Sequence, residues 1–201
     1  MPHYYPCSMS NSRRDPSPAS KASDTSQGGD HTQCGALPLT GSCHCGRVRF
    51  TVTSAEPWPY QRCYCSICRK TGGGGGYLIN LGGEAASLQV QGQEFVKVYR
   101  ALLDPGKPES RSRHERHFCG ECGSHLWAFN PDWPQLVHPV ASAIDTPLPK
   151  PPARVHMMVG SKPSWVTVTP GSQDDVYDEY PVASLAEWHA AHGFQAKASS
   201  D

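Results

Sequence analysis

CYCSICRKTGGGGGY, residues 63–77, puts three cysteines into six positions, follows them with Arg-Lys-Thr and then runs through five glycines. Three thiols suit neither a disulfide framework, which wants an even count, nor a closed zinc site, which wants four ligands. Either a fourth ligand comes from elsewhere in the chain or the fourth position is left open.

The rest of the chain holds two further clusters. Cys43 and Cys45 lie in GSCHCGRV, and Cys119 and Cys122 lie in FCGECGSHL. Cysteines one or two residues apart reach the same ion when the backbone turns sharply around it. Gly46, Gly120 and Gly123, each directly beside a cysteine, permit such turns. Thiolates are soft ligands, and an all-sulfur set indicates zinc or an iron–sulfur centre. Setting aside Cys7 and Cys34 near the N-terminus, seven cysteines divide as four plus three. Spacing alone leaves the division open. The 43/45 pair can join the 119/122 pair, leaving 63, 65 and 68 as an open site, or His44 or His125 can close the trio.

Composition narrows the setting. Lys plus Arg and Asp plus Glu are 18 each, so the net charge is zero. A binder held to nucleic acid by its phosphates, or to an anionic membrane, needs a basic surplus; neither partner is expected. The first 20 residues lack the apolar centre of a secretory signal, and no stretch approaches the roughly 20 apolar residues of a membrane span. Clustered thiols then fit a reducing, cytoplasmic setting with metal-bound cysteines. The sequence sets no oligomeric state.

Residues 1–36 are rich in Ser, Pro, Asp and Gly and are expected to be a disordered tail. One domain is expected over 37–193, with a flexible C-terminus at 194–201. Within the domain, GRVRFTVTS (46–54) alternates Val48, Phe50 and Val52 against Arg47, Arg49 and Thr51, which is the period of a half-buried strand. YLIN, SLQVQG, EFVKVYRALL, SHLWAFNP, QLVHPVASAI, RVHMMVG and SWVTVTP predict further short strands, with Gly and Pro between them. The fold class is mostly β. One short C-terminal helix is predicted at SLAEWHAAHG (184–193), where Ser184 and Glu187 have capping-box spacing and Gly193 can end the helix.

GSCHCGRVRF, CYCSICRKTGG and FCGECGSHLW, in that order, resemble the glutathione-dependent formaldehyde-activating enzyme family, which also includes centromere protein V. The resemblance spans roughly residues 39–170. It implies several short coiled β-sheets organised around zinc. It implies two zinc ions per chain, a structural one on Cys43, Cys45, Cys119 and Cys122 and a second on Cys63, Cys65 and Cys68 with an open position. The implied reaction is that of a carbon–sulfur lyase or synthase joining glutathione, as co-substrate, to formaldehyde as S-hydroxymethylglutathione. Small thiols and small aldehydes are the implied partners. Two alternatives stand beside it: a zinc-binding interaction module without catalysis, and an accessory thiol-handling enzyme of secondary metabolism.

Around the open site, Arg69 is a candidate clamp for a glutathione carboxylate, since its planar fork pairs with carboxylates at two points. Gly72 and Gly73 head the run 72–76, where bare backbone can approach a ligand or metal. The run is not a phosphate loop, because Lys70-Thr71 precedes the glycines rather than following them. RSRHERHF (111–118) does not have the spacing of a His-Glu-x-x-His zinc helix and is expected to be a solvated loop leading into Cys119. Trp127, Trp133 and Trp165 are expected as core or rim packing.

Overall fold

Alternating short apolar stretches give strands, and the computed structural model, which describes residues 36–193, contains twelve of them there. In chain order they are β1 Leu37–Ser42, β2 Arg49–Ser54, β3 Tyr60–Cys63, β4 Leu78–Asn80, β5 Gly83–Glu84, β6 Gln89–Gln91, β7 Val96–Leu102, β8 Arg111–Cys119, β9 His125–Phe129, β10 Leu136–Pro139, β11 Arg154–Met157 and β12 Asp175–Val176. Two helices accompany them, α1 Ser66–Gly72 and α2 Leu185–Ala191. Apart from Ala36, the segment expected as a tail lies outside the described residues, as do 194–201, Cys7 and Cys34. Among the described residues no helix is long and apolar enough to cross a membrane.

The strands form three sheets, ordered β1-β2-β6, β5-β10-β9-β8-β7 and β12-β11-β3-β4. The first two are antiparallel. In the third, β3 pairs antiparallel to β4 but parallel to β11, matching Cys63 with Met157, and β11 runs parallel to β12. The alternation in β2 is as expected: Val48, Phe50 and Val52 are buried, while Arg47, Arg49 and Thr51 face solvent. Phe50 meets Trp127 edge-on, with ring centroids 5.2 Å apart, and so joins the first sheet to the second. Leu39, Leu81, Leu126 and Val137 fill the space around them, and the core runs without a break into Cys43, Cys63, Cys65, Cys68 and Cys119.

Helix α2 forms as the sequence predicts. The Ser184 hydroxyl accepts from the Glu187 amide at 3.2 Å, and the Glu187 carboxylate accepts from the Ser184 amide at 2.7 Å. Two expectations change. RSRHERHF is not a loop: it lies in β8, the nine-residue strand between β7 and β9. Its inward side chains are polar because they face a polar layer, so apolar alternation gives no sign of the strand. SWVTVTP pairs with no strand. Val166 is buried and Val168 half-buried, but Pro163 and Pro170 bracket the segment, and Val166 closes a turn back to the Pro163 carbonyl at 3.0 Å. SICRKTG, on which the sequence carries no expectation, forms helix α1. Trp127 is core, whereas Trp133 and Trp165 are exposed.

Candidate metal centres and active site

Two tight chain reversals build the four-cysteine group. Beyond β1, the Cys43 carbonyl accepts from the Gly46 amide at 3.0 Å, and Gly46 takes a left-handed φ of 75°. Beyond β8, the Cys119 carbonyl accepts from the Gly123 amide at 2.8 Å, with Gly123 at φ 74°. A side chain at either glycine would strain the turn. The His44 amide donates to the Ser124 hydroxyl at 3.1 Å, tying the two reversals together. The sulfurs of Cys43, Cys45, Cys119 and Cys122 all lie within 4.8 Å of one another. Cys43 and Cys45 are 3.5 Å apart, and Cys45 and Cys119 3.8 Å. Tetrahedral zinc with bonds of about 2.3 Å sets its sulfurs roughly 3.8 Å apart, so the spacing fits. The hydrogen bond with Ser124 is the leading cause that holds the Cys122 thiol at about 5, in the form a metal takes.

The second group stands where β3 ends and α1 begins. Cys63 closes the strand. Cys65 caps the helix, its sulfur accepting from the Cys68 amide at 3.3 Å. Cys68 sits one turn in, so the helix start and its cap aim three thiols at one point. Their sulfurs also lie within 4.8 Å of one another, and all three residues are buried. No fourth His, Cys, Asp or Glu among the described residues joins them. Hydrogen bonds from Cys63 and then Cys68 hold Cys65 at about 2, a thiolate, while its bond to Cys65 leads the causes that push Cys63 up. The seven thiols form no disulfide. Three buried soft donors, one of them a thiolate, are a fitting donor set for zinc, with one tetrahedral position unfilled by protein among the described residues.

β8 supplies the surroundings that the sequence concealed. Arg116 is 6% exposed, has no carboxylate partner among the described residues, and leaves its Nε without a hydrogen bond. Its guanidinium reaches the His114 carbonyl at 3.4 Å, and its charge favours the thiolate of Cys68. His125 is buried with neither ring nitrogen bonded. Burial first, then the Arg116 charge, lowers His114 and His125 each to about 4, so both are neutral near pH 7. Neutral imidazole is the form that binds metal, but neither ring nitrogen of His125 gathers with the three sulfurs, so His125 does not close the trio. His44 is exposed, at the other cysteine group. Tyr180 also feels the trio. Its ring is largely exposed, yet crowding around it, followed by the charges of Cys63, Cys65 and Cys68, pushes the phenol up to about 12. Nothing near Tyr180 in the sequence carries a motif. Arg116 could have been found by testing RSRHERHF for alternation of polar residues.

The expected substrate contacts lie close by. Arg69 is half-buried in the last turn of α1, its Nε without a hydrogen bond, and Lys70 is exposed. Gly72 abuts His125: a Cβ there would lie 3.1 Å from the His125 Cβ and Nδ1. Gly73 ends the helix, its amide donating to the Arg69 carbonyl at 3.2 Å, and its backbone is pressed against the Tyr77 carbonyl. Gly72, Gly74 and Gly75 line a depression of about 200 Å³ with Tyr77, Ile79 and Ser142.

The profile of the family described as "Glutathione-dependent formaldehyde-activating enzyme" matches residues 38–161. A protein of Halomonas elongata named "Putative glutathione-dependent formaldehyde-activating enzyme" is 55% identical over 157 residues, covering 78% of this chain and 98% of that protein. The crystal structure of a Rhodobacter sphaeroides protein aligns with a TM-score of 0.41 and 23% identity, over 55% of this chain and 91% of its own.

Proposed function

The chain belongs to the glutathione-dependent formaldehyde-activating enzyme family, and on that premise we propose that it joins glutathione, or a related small thiol, to formaldehyde and catalyses the reverse cleavage. In the forward direction a carbon–sulfur bond forms between the thiol sulfur and the aldehyde carbon. The thiol proton passes to the aldehyde oxygen, and nothing is oxidised or reduced. Cys63, Cys65 and Cys68 would hold a zinc ion, which supplies Lewis acidity and stabilises a bound thiol as its thiolate. Cys43, Cys45, Cys119 and Cys122 would hold a structural zinc.

The protein's own groups supply the rest. Burial of the trio keeps water away and strengthens each charge interaction there. Arg116 offsets negative charge on the sulfurs. His125, neutral and unbonded, has one ring nitrogen free to accept a proton and one to donate. Arg69 would take a glutathione carboxylate, with Gly72 and Gly73 bordering the bound peptide. One observation carries this proposal: the buried trio has no fourth protein ligand among the described residues, while an unpaired guanidinium faces it.

Magnetisation-exchange NMR on glutathione and formaldehyde at equilibrium tests it. Substoichiometric protein should speed exchange between free and hydroxymethylated thiol, and Cys65→Ser should abolish the gain. Parent protein with two bound zinc ions and no effect on exchange would overturn the proposal.

A further inference from the structure

Tyr64 stands between two of the three thiols, and its side chain turns away from them into the protein. It is 1% exposed. Its hydroxyl lies 2.9 Å from Nδ1 of His156, which is fully buried. Nε2 of His156 lies 3.2 Å from a carboxylate oxygen of Asp174, whose side chain is 3% exposed. Asp174 accepts in addition from the Gly171 amide at 2.9 Å, the Arg154 amide at 2.8 Å and the Arg154 guanidinium at 3.2 Å.

The proton positions follow from the donors available. An ionised carboxylate only accepts, so Nε2 of His156 must donate to Asp174. A neutral imidazole then has Nδ1 free to accept, and the Tyr64 hydroxyl donates to it. The chain Tyr64→His156→Asp174 has one direction and no unsatisfied member. The backbone reinforces it: the Tyr64 amide donates to the Met157 carbonyl at 3.0 Å, where β11 lies parallel to β3.

An immobile residue between Cys63 and Cys65 fixes the angle between their two sulfurs. A hydrogen bond to the tyrosine alone would leave the imidazole free to turn. Anchoring the imidazole on Asp174, itself held by three further donors, removes that freedom. We propose that Tyr64, His156 and Asp174 form a positioning chain that presets the Cys63–Cys65–Cys68 group for its metal and so sets the affinity and geometry of that site. The proposal rests on the reading that these three cysteines bind a metal. Asp174 lies beyond residues 38–161, the stretch that matches the family profile. Groups hydrogen-bonded directly to metal ligands typically govern affinity by about 10–100-fold, and this chain, which acts through the backbone at residue 64 rather than on a sulfur, belongs at the lower end.

The test uses the full-length protein, with Tyr64→Phe as the first variant because it keeps the ring and removes only the hydroxyl. Zinc affinity of each site is measured by chelator competition. Cobalt(II) in place of zinc reports ligand geometry through its sulfur charge-transfer and d–d bands. Tyr64→Phe is expected to weaken the three-cysteine site about tenfold and shift its cobalt bands, leaving the four-cysteine site untouched. His156→Gln is expected to do the same, and the double variant to lose no more than either single one. A change in thermal stability alone, with both affinities and both spectra as in the parent, would overturn the positioning chain while leaving the metal site standing. Parent protein that binds one metal, equally well after Cys65→Ser, would overturn the metal reading as well.

Discussion

At Arg116 a buried positive charge meets no carboxylate among the described residues, and it acts on Cys68 in the direction that favours the thiolate. Three thiolates on a divalent ion leave one net negative charge, which a guanidinium balances. Arg116→Met should therefore weaken zinc at the three-cysteine site about tenfold or more, since a buried charge loses its partner; chelator competition measures this, and an unchanged affinity would remove Arg116 from the site. The neighbouring histidines tie stability to pH. The folded-state values of His114 and His125, about 4, lie below the ordinary 6.5, so between these limits the unfolded chain binds more protons than the folded one. Their contribution is fully present above about 6.5 and is lost as pH falls toward 4. Acid also releases zinc, so a variant must isolate the effect. The melting temperature of His114→Gln should rise relative to that of the parent as pH is lowered from 7 to 5, and a constant offset would count against the assignment. The sulfurs were legible in the sequence because spacing of cysteines is itself a chemical signal. Arg116 and His156 were not, because each gains its role from residues far away in the chain.

Among the elements, those that lay apolar residues on one face were readable. β2 and α2 stand where alternation and the capping box put them. α1 was hidden because its only buried residue is Cys68 and five glycines follow it; its start is set by the Cys65 cap, a role more familiar for Ser or Asp. β8 was hidden because it buries Arg116 rather than a hydrophobe. Two predictions belong here. Ser184→Ala removes the hydroxyl that accepts from the Glu187 amide, leaving the amide of residue 184 to donate to the Glu187 carboxylate, and should cost about 1 kcal/mol, read by denaturant unfolding with unchanged zinc content. Gly76 has φ 87°, and a Cβ on it would lie 2.9 Å from the Trp165 ring and in collision with Val166. Gly76→Ala should destabilise by roughly 1–3 kcal/mol through strain at this left-handed position. A melting temperature equal to the parent's would show that 164–166 gives way freely.

For the whole molecule, the four-cysteine group ties the reversal after β1 to the reversal after β8, joining the first sheet to the second across 74 positions from Cys45 to Cys119. Structural zinc contributes folding free energy directly, on the order of 10 kcal/mol in small domains. Cys119→Ser should accordingly unfold the domain, seen as loss of a cooperative melt, whereas Cys65→Ser should keep the melt and lose one zinc. A folded Cys119→Ser protein with two zinc ions would reverse the assignment of the two groups.

β12 and the residue before it carry a consequence for how such proteins are cut and recombined. The family profile matches only as far as residue 161, but Asp174, β12 and Tyr180 follow it, and β12 completes the sheet that begins at the trio. A fragment ending at 161 would retain all seven sulfurs and look complete to any inventory of ligands. It would still lack the carboxylate that anchors His156 and the strand that covers β11. In a chimera, residues 162–193 should travel with the cysteines rather than be exchanged as a neutral tailpiece.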